Sequence, residues 1–223
     1  MVDVQGQDVV AVLTRAPSAG GKTRLFRELG WPPDPEVLAA LLLDTLDAVD
    51  VAGCRRVVCF TPASAEMELR ALVPAGVSLL PQREGDLGER MAHAFDDLLA
   101  QGAASVVLIG SDLPGIDPSV VAVALRTVRE RPGVVVLGPA RDGGYYLVAA
   151  ARTPAALFSG MTWSTPAVLA DTEQRARAAN IEVVRVAAAV DIDTADDLRA
   201  LLRGSAPAPR LRTAINGRGG WQG

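Results

Sequence analysis

Two hydrophobic rhythms alternate along this chain. Consecutive apolar runs at 8–14, 56–60, 77–80, 106–109, 134–138, 145–150 and 182–186 predict seven strands. Most are apolar on successive positions and rich in valine, the pattern of strands covered on both faces. Between them the apolar residues recur at helical spacing. In 35–49, Val37, Leu38, Leu41, Leu42, Thr45 and Leu46 share one face. Leu87, Met91, Phe95 and Leu98 fall at i, i+4, i+8 and i+11, which reads as the core stripe of a further helix. Asp117-Pro118 opens a helix to about 131 and Thr165-Pro166 one to about 179. Ser64 caps one to about 73, and Thr194 with Asp197 three residues on opens one to about 202. Short helices are predicted at 23–29 and 153–158. Strands alternating with helices imply an α/β fold in three layers around a central, mostly parallel sheet. From Gly204 the residues are largely Ser, Ala, Pro, Arg and Gly, which predicts one domain over 1–203 and a disordered tail over 204–223.

Composition narrows this without changing it. With 49% hydrophobic residues in 223, a large core can form; with 4% aromatics it must be built of Val, Leu and Ala. A net charge of −4 and the lack of a basic block argue against nucleic-acid binding. Cys54 and Cys59 form no metal pattern, so a reduced, cytoplasmic protein is expected. No apolar run approaches the ~18 residues of a membrane span, and Asp3 and Asp8 stand where a signal peptide would carry positive charge.

Candidate chemistry gathers where predicted strands end. The 106–109 run continues into Gly110-Ser111-Asp112-Leu113-Pro114, placing Asp112 just past the carboxyl end of a buried strand. Open α/β sheets bind ligands at that edge, and a carboxylate there can hold a divalent cation against nucleotide phosphates. The first strand opens into Arg15-Ala16-Pro17-Ser18-Ala19-Gly20-Gly21-Lys22-Thr23-Arg24. Gly20 and Gly21 let backbone N–H groups approach an anion, and Arg15, Lys22 and Arg24 can neutralise it. The same loop fits a relaxed Walker A pattern with Ala16 for its first glycine. Only 23–29 is left for the helix behind it, however, and Pro17 removes a donor, so a P-loop NTPase is disfavoured. Between 81 and 91, Gln82, Asp86 and Arg90 are polar ligand candidates, with a capped helix start as the competing explanation. Asp142 precedes Gly143-Gly144 at a strand–turn–strand corner beside Tyr145 and Tyr146. It is either an ordinary turn residue or a partner for a sugar or acceptor hydroxyl. Asp191 and Asp193 are not needed by the Thr194 cap and are candidate metal ligands. His93 lies off the apolar stripe and is expected at the surface.

Five stretches in this order resemble bacterial glycosyltransferases of the arsenosugar-biosynthesis type. They are Arg15-Ala16-Pro17 with Lys22-Thr23-Arg24-Leu25; Gly85-Asp86-Leu87-Gly88-Glu89-Arg90-Met91 with Ala94-Phe95; Ile109-Gly110-Ser111-Asp112-Leu113-Pro114; Gly138-Pro139-Ala140 with Asp142-Gly143-Gly144-Tyr145-Tyr146; and Trp163-Ser164-Thr165 with Asp191-Ile192-Asp193-Thr194. The resemblance covers about residues 9–203 and implies the GT-A fold of nucleotide-diphospho-sugar transferases, a superfamily that also holds nucleotidyltransferases. It implies that the glycine loop and Lys22 embrace nucleotide phosphates, that Asp112 is the metal-binding aspartate, and that Asp191 or Asp193 completes the metal site. The chain departs from the family pattern at Ser18-Ala19-Gly20-Gly21, where relatives carry a proline and one more residue.

The leading expectation is therefore a metal-dependent glycosyltransferase that uses a nucleotide-sugar donor and a small-molecule acceptor. Asp112 with Asp193 or Asp191 would hold Mg²⁺ or Mn²⁺, and Lys22 with Arg15 or Arg24 would stabilise the leaving diphosphate. Asp142 would serve the acceptor as base. Gly20, Gly21, Gln82, Gly85, Asp86 and Ser111 complete the expected nucleotide contacts. The alternative is a nucleotidyltransferase that releases pyrophosphate; a third reading is a nucleotide-binding protein without turnover. Fold relatives often dimerise, and a homodimer stays open.

Overall fold

The computed structural model describes residues 2–218. Seven strands form one sheet: β1 Asp8–Arg15, β2 Cys54–Thr61, β3 Ser78–Pro81, β4 Ser105–Gly110, β5 Val135–Pro139, β6 Tyr145–Ala150 and β7 Val183–Arg185. Their order is β3-β2-β1-β4-β6-β5-β7. Among the described strands only β6 runs against its neighbours, pairing antiparallel with β4 and β5; the other pairs are parallel. Leu13 lies opposite both Cys59 and Gly110, so β1, β2 and β4 end level and their loops open on one edge. Ile109 opposite Leu147 brings the start of the reversed β6 to that same edge.

The helices are α1 Thr23–Leu29, α2 Pro35–Ala48, α3 Glu66–Leu72, α4 Leu87–Ala100, α5 Pro118–Glu130, α6 Ala155–Phe158, α7 Val168–Ala178, α8 Ala195–Arg203 and α9 Pro209–Asn216. Because strand side chains alternate in direction, β1 and β2 send Val10, Val12, Val58 and Phe60 to one face. There they meet Leu42 and Leu46 of α2, Leu69 of α3 and Leu125 of α5. Val9, Ala11, Val57 and Cys59 point the other way, toward Met91 and Phe95 of α4, Phe158 of α6 and Ala176 of α7. The result is the expected three-layer α/β sandwich. Among the described residues, no helix is long and apolar enough to cross a membrane.

Three local expectations are corrected. Ser64 does not cap α3: it lies inside a 3-10 turn, Ala63–Ala65, that runs directly into the helix. Thr165 does not cap α7, which begins at Val168. The preceding stretch docks the β5–β6 turn instead. Gly143 has φ 91, and a Cβ there would lie 2.2 Å from the Pro166 carbonyl oxygen, while Leu169 N–H donates to the Gly143 carbonyl at 2.9 Å. Gly143→Ala is accordingly expected to cost about 1–2 kcal/mol from the left-handed backbone alone, read as a lowered Tm. An unchanged Tm would show that the turn is not clamped.

The third correction concerns the tail. Residues 209–216 form α9, whose Leu211, Ala214 and Ile215 are buried against α1, α2 and α8 with Phe26, Leu41 and Leu198. The amphipathic spacing was too short to stand out among the neighbouring Pro and Arg. Its N-terminus is held by the buried Asp44 carboxylate, which accepts from Leu211 N–H at 2.9 Å. Arg212 donates to the Leu202 carbonyl at 2.6 Å and the Gly204 carbonyl at 2.8 Å, satisfying the end of α8. Residues 219–223 of the expected disordered tail lie outside the described residues.

Candidate functional site

Asp112 emerges two residues after β4 and is fixed through its backbone. Its carbonyl accepts from Ile192 N–H at 3.0 Å, which ties the 191–193 loop to it. The next residue, Leu113, donates its N–H to the buried Thr45 hydroxyl of α2 at 3.0 Å. Gly110 supplies the room for the carboxylate: a Cβ there would sit 2.6 Å from Asp112 Oδ1. Gly110→Ala is therefore expected to push the carboxylate aside. By analogy with residues that orient metal ligands, divalent-metal affinity should fall about 10–100-fold with a nearly unchanged Tm. Unchanged affinity in a Mn²⁺ titration would refute this.

Lys22 reaches Asp112 from the other side. It stands at the start of α1 in a left-handed conformation, φ 47, unusual for a residue with a side chain. Its ammonium bridges the carboxylates of Asp112 and Asp193. With Lys22 16% and Asp112 20% exposed, this is not the water-screened surface pair that contributes little. Burial alone would lower the lysine pKa; Asp112 and Asp193 outweigh it and hold the ammonium charged well above the usual range. Asp191 is less well served. Burial first, and then the charges of Asp112 and Asp193, push its carboxyl up to about 6 against the opposing pull of Lys22. One oxygen from each of Asp112, Asp191 and Asp193 falls within 4.8 Å of the others. Three hard oxygen donors so placed fit a Mg²⁺ or Mn²⁺ ion.

Two depressions meet at this cluster, sharing Leu13, Leu87, Gly110 and Asp112. The first, over the ends of β1 and β2, carries two arginines, Arg15 and Arg90, with Gln82 and Ser111 on its walls. The Thr14 and Ser111 hydroxyls are hydrogen-bonded at 3.1 Å on its floor. The second, of about 260 Å³ beside β6, is lined by Asp142, Asp191, Tyr145 and Trp163. Tyr145 and Trp163 meet edge to face at 6.5 Å and 77°. Trp163 packs so closely on Gly88 that a Cβ there would lie 2.7 Å from its ring.

The family model described as "Uncharacterized protein conserved in bacteria (DUF2064)" matches residues 45–165, a stretch that contains Asp112 and Asp142. The chain belongs to this family. It is 30% identical over 204 residues to the 3-phospho-D-glycerate guanylyltransferase of Phenylobacterium zucineum (strain HLK1), covering 87% of this chain and 89% of that one. It is also 30% identical over 209 residues to the phosphoenolpyruvate guanylyltransferase of Mycolicibacterium smegmatis (strain ATCC 700084 / mc(2)155), covering 91% and 89%. Among solved structures, a protein from Desulfovibrio desulfuricans G20 described as a nucleotide-diphospho-sugar transferase superposes with a TM-score of 0.81 at 26% identity over 96% of both chains. The expected nucleotide-diphospho-sugar transferase fold stands. The arsenosugar glycosyltransferase part of the resemblance is replaced, since the two sequence relatives are named guanylyltransferases.

In this DUF2064 protein the tertiary structure brings Lys22, Asp112, Asp191 and Asp193 into one cluster and sets Arg15, Gln82, Gly85 and Ser111 around the first depression. Gly20 and Gly21 supply the positive φ values, 72 and 149, that turn the loop toward Lys22. Gln82 also acts as a strut, donating its amide to the Cys59 carbonyl at 2.7 Å and the Thr14 carbonyl at 3.2 Å. Two nucleotide-contact candidates are not brought in. Arg24 is largely exposed and pairs with Glu28 four residues on at 3.0 Å, because α1 turns it outward. The Asp86 carboxylate is spent on a capping box with Glu89, accepting from Glu89 N–H at 2.9 Å. Asp142 lies on the wall of the second depression while one oxygen accepts from Gly144 N–H at 2.9 Å, so it is both turn residue and site residue. Leu87 leaves the predicted core stripe and is 47% exposed between the depressions. His93 is half-buried on α4 rather than at the surface and lines neither depression. Sequence reasoning placed Tyr145 beside Asp142 but missed Gly110 and Thr45 as supports of Asp112, and Leu87 and Trp163 as site walls. An isolated glycine after a strand carried no signal of what it makes room for.

Proposed function

We propose that this chain is a metal-dependent nucleotidyltransferase that takes a nucleoside triphosphate, GTP first among them, and releases pyrophosphate. The observation that carries this reading is the Lys22–Asp112–Asp193 cluster, with Asp191 beside it, on the sheet edge next to the depression that carries Arg15 and Arg90. The guanylyltransferase names of the two relatives support it over glycosyl transfer. Asp112, Asp191 and Asp193 would hold Mg²⁺ or Mn²⁺, which when bound supplies charge neutralisation at the phosphates. Arg15 and Lys22 would stabilise the charge that develops on the α-phosphoryl oxygens and the departing pyrophosphate, preorganised electrostatics being the usual main source of rate. The acceptor oxygen attacks the α-phosphorus, the bond to the β-phosphate breaks, and its electron pair leaves with pyrophosphate. Residues 1–203 together with α9 would form the one catalytic unit.

Glycosyl transfer is the second reading, favoured by the description of the Desulfovibrio desulfuricans G20 structure. A thermal-shift panel with pyrophosphate detection separates the two. At ~100 times Kd, GTP with Mn²⁺ should add about 2.7 kcal/mol of stability, a Tm rise of roughly 5–11 °C for a chain of this size, abolished by EDTA. A shift confined to nucleotide sugars would reverse the ranking. No shift with either would remove both readings.

A further inference from the structure

Taking the nucleotidyl-transfer reading as its basis, we infer that the acceptor is an alcohol bearing neither phosphate nor carboxylate, bound in the depression beside β6. The two relatives are named for acceptors of the opposite kind, phosphorylated carboxylic acids. The triphosphate belongs on the side of Asp112 where Arg15 and Arg90 stand, which leaves the second depression for the acceptor. None of the described residues lining that depression is Lys, Arg or His, whereas Asp112, Asp142 and Asp191 all do so. Lys22, which contacts Asp112, is already shared between Asp112 and Asp193. Even if one divalent ion and Lys22 together offset the triad of Asp112, Asp191 and Asp193, the Asp142 carboxylate is left over on the acceptor wall. A phosphorylated acid brought against it would meet like charge with no donor fork or ammonium to hold it.

The remaining walls suit an apolar body. Tyr145 and Trp163 stand edge to face, and Leu87 and Met91 add further apolar surface beside the Ser164 and Thr165 hydroxyls. Besides accepting from Gly144 N–H, the Asp142 carboxylate can serve a hydroxyl as base. A phosphate oxygen is ionised before it attacks and needs no base; an alcohol must lose its proton as the new bond forms. With an alcohol, the hydroxyl oxygen bonds to the α-phosphorus, its proton passes to an Asp142 carboxylate oxygen, and pyrophosphate departs with the electrons of the broken P–O bond. The product is a phosphodiester rather than a diphosphate.

The test uses the whole chain with Mn²⁺. Pyrophosphate release is followed with GTP and, in turn, 3-phosphoglycerate, phosphoenolpyruvate, glycerol, 2-phenylethanol and choline. Binding of the two phosphoacids is measured by calorimetry in the presence of α,β-methylene GTP. Wild type should bind and use the phosphoacids least. Asp142→Arg should tighten phosphoacid binding about tenfold or more by reversing the local charge. Asp142→Asn, which keeps an oxygen for Gly144 N–H, should cut alcohol-dependent release about 10²–10⁴-fold. Phosphoacid turnover in wild type equal to or above that with the alcohols overturns the inference while leaving nucleotidyl transfer intact. So does an Asp142→Arg variant with no gain in phosphoacid affinity. Absence of any GTP–Mn²⁺ binding would instead sink the nucleotidyl-transfer reading beneath it.

Discussion

Asp112→Asn is expected to lower turnover by about 10³-fold, the upper range seen when one preorganised electrostatic group is removed from an active site. The substitution keeps the side chain's shape and its backbone ties to Ile192 and, through Leu113, to Thr45. It removes the charge that faces both Lys22 and any metal shared with Asp191 and Asp193. The loss of this largely buried pair should lower the Tm, but only in part, because Lys22 retains Asp193 as a partner and Asp191 is relieved of a like charge. The rise in Tm with GTP and Mn²⁺ should disappear. Should that rise survive at wild-type size, Asp112 holds neither metal nor nucleotide and the site lies elsewhere.

Leu211→Ala carries the largest expected effect on stability. Leu211 is fully buried in the third hydrophobic cluster, where α9 closes over α1, α2 and α8. Large-to-small changes at such positions cost about 2–5 kcal/mol. For a chain of this size a loss of ~3 kcal/mol is a Tm drop of roughly 6–12 °C. The effect reaches the site, because Ile192 belongs to the same cluster and lies between Asp191 and Asp193. Weaker Mn²⁺ binding should therefore accompany the lower Tm. A Tm within 2–3 °C of wild type, a loss near 1 kcal/mol or less, would show that α9 is not part of the core.

Much of this was legible from particular residues. The valine-rich runs pointed to strands buried on both faces, and each became a strand. Asp117-Pro118 and Thr194 with Asp197 marked helix starts where α5 and α8 begin. In both cases the cap is a local hydrogen bond between near neighbours, so neighbouring residues suffice to predict it. Thr165-Pro166 has the same composition and failed, because Gly143 of another element packs against Pro166. Leu87 fits its helical stripe, yet as the first residue of α4 it stands exposed where the two depressions meet. Asp86 was both cap and ligand candidate on sequence; the structure shows the cap, with its carboxylate accepting from Glu89 N–H.

Local patterning by itself determined the strands, most of the helices and the presence of carboxylates at strand ends, since period, capping and turn chemistry act over a few residues. The tertiary structure decided which of those carboxylates share a cation. Lys22 and Asp112 are 90 residues apart, and Lys22 and Asp193 are 171 apart. They meet only because β1 pairs with β4 and the 191–193 loop is pinned to Asp112. The same holds for α9. Its few apolar residues are too weak a signal alone, and their burial depends on surfaces that α1, α2 and α8 present only once folded.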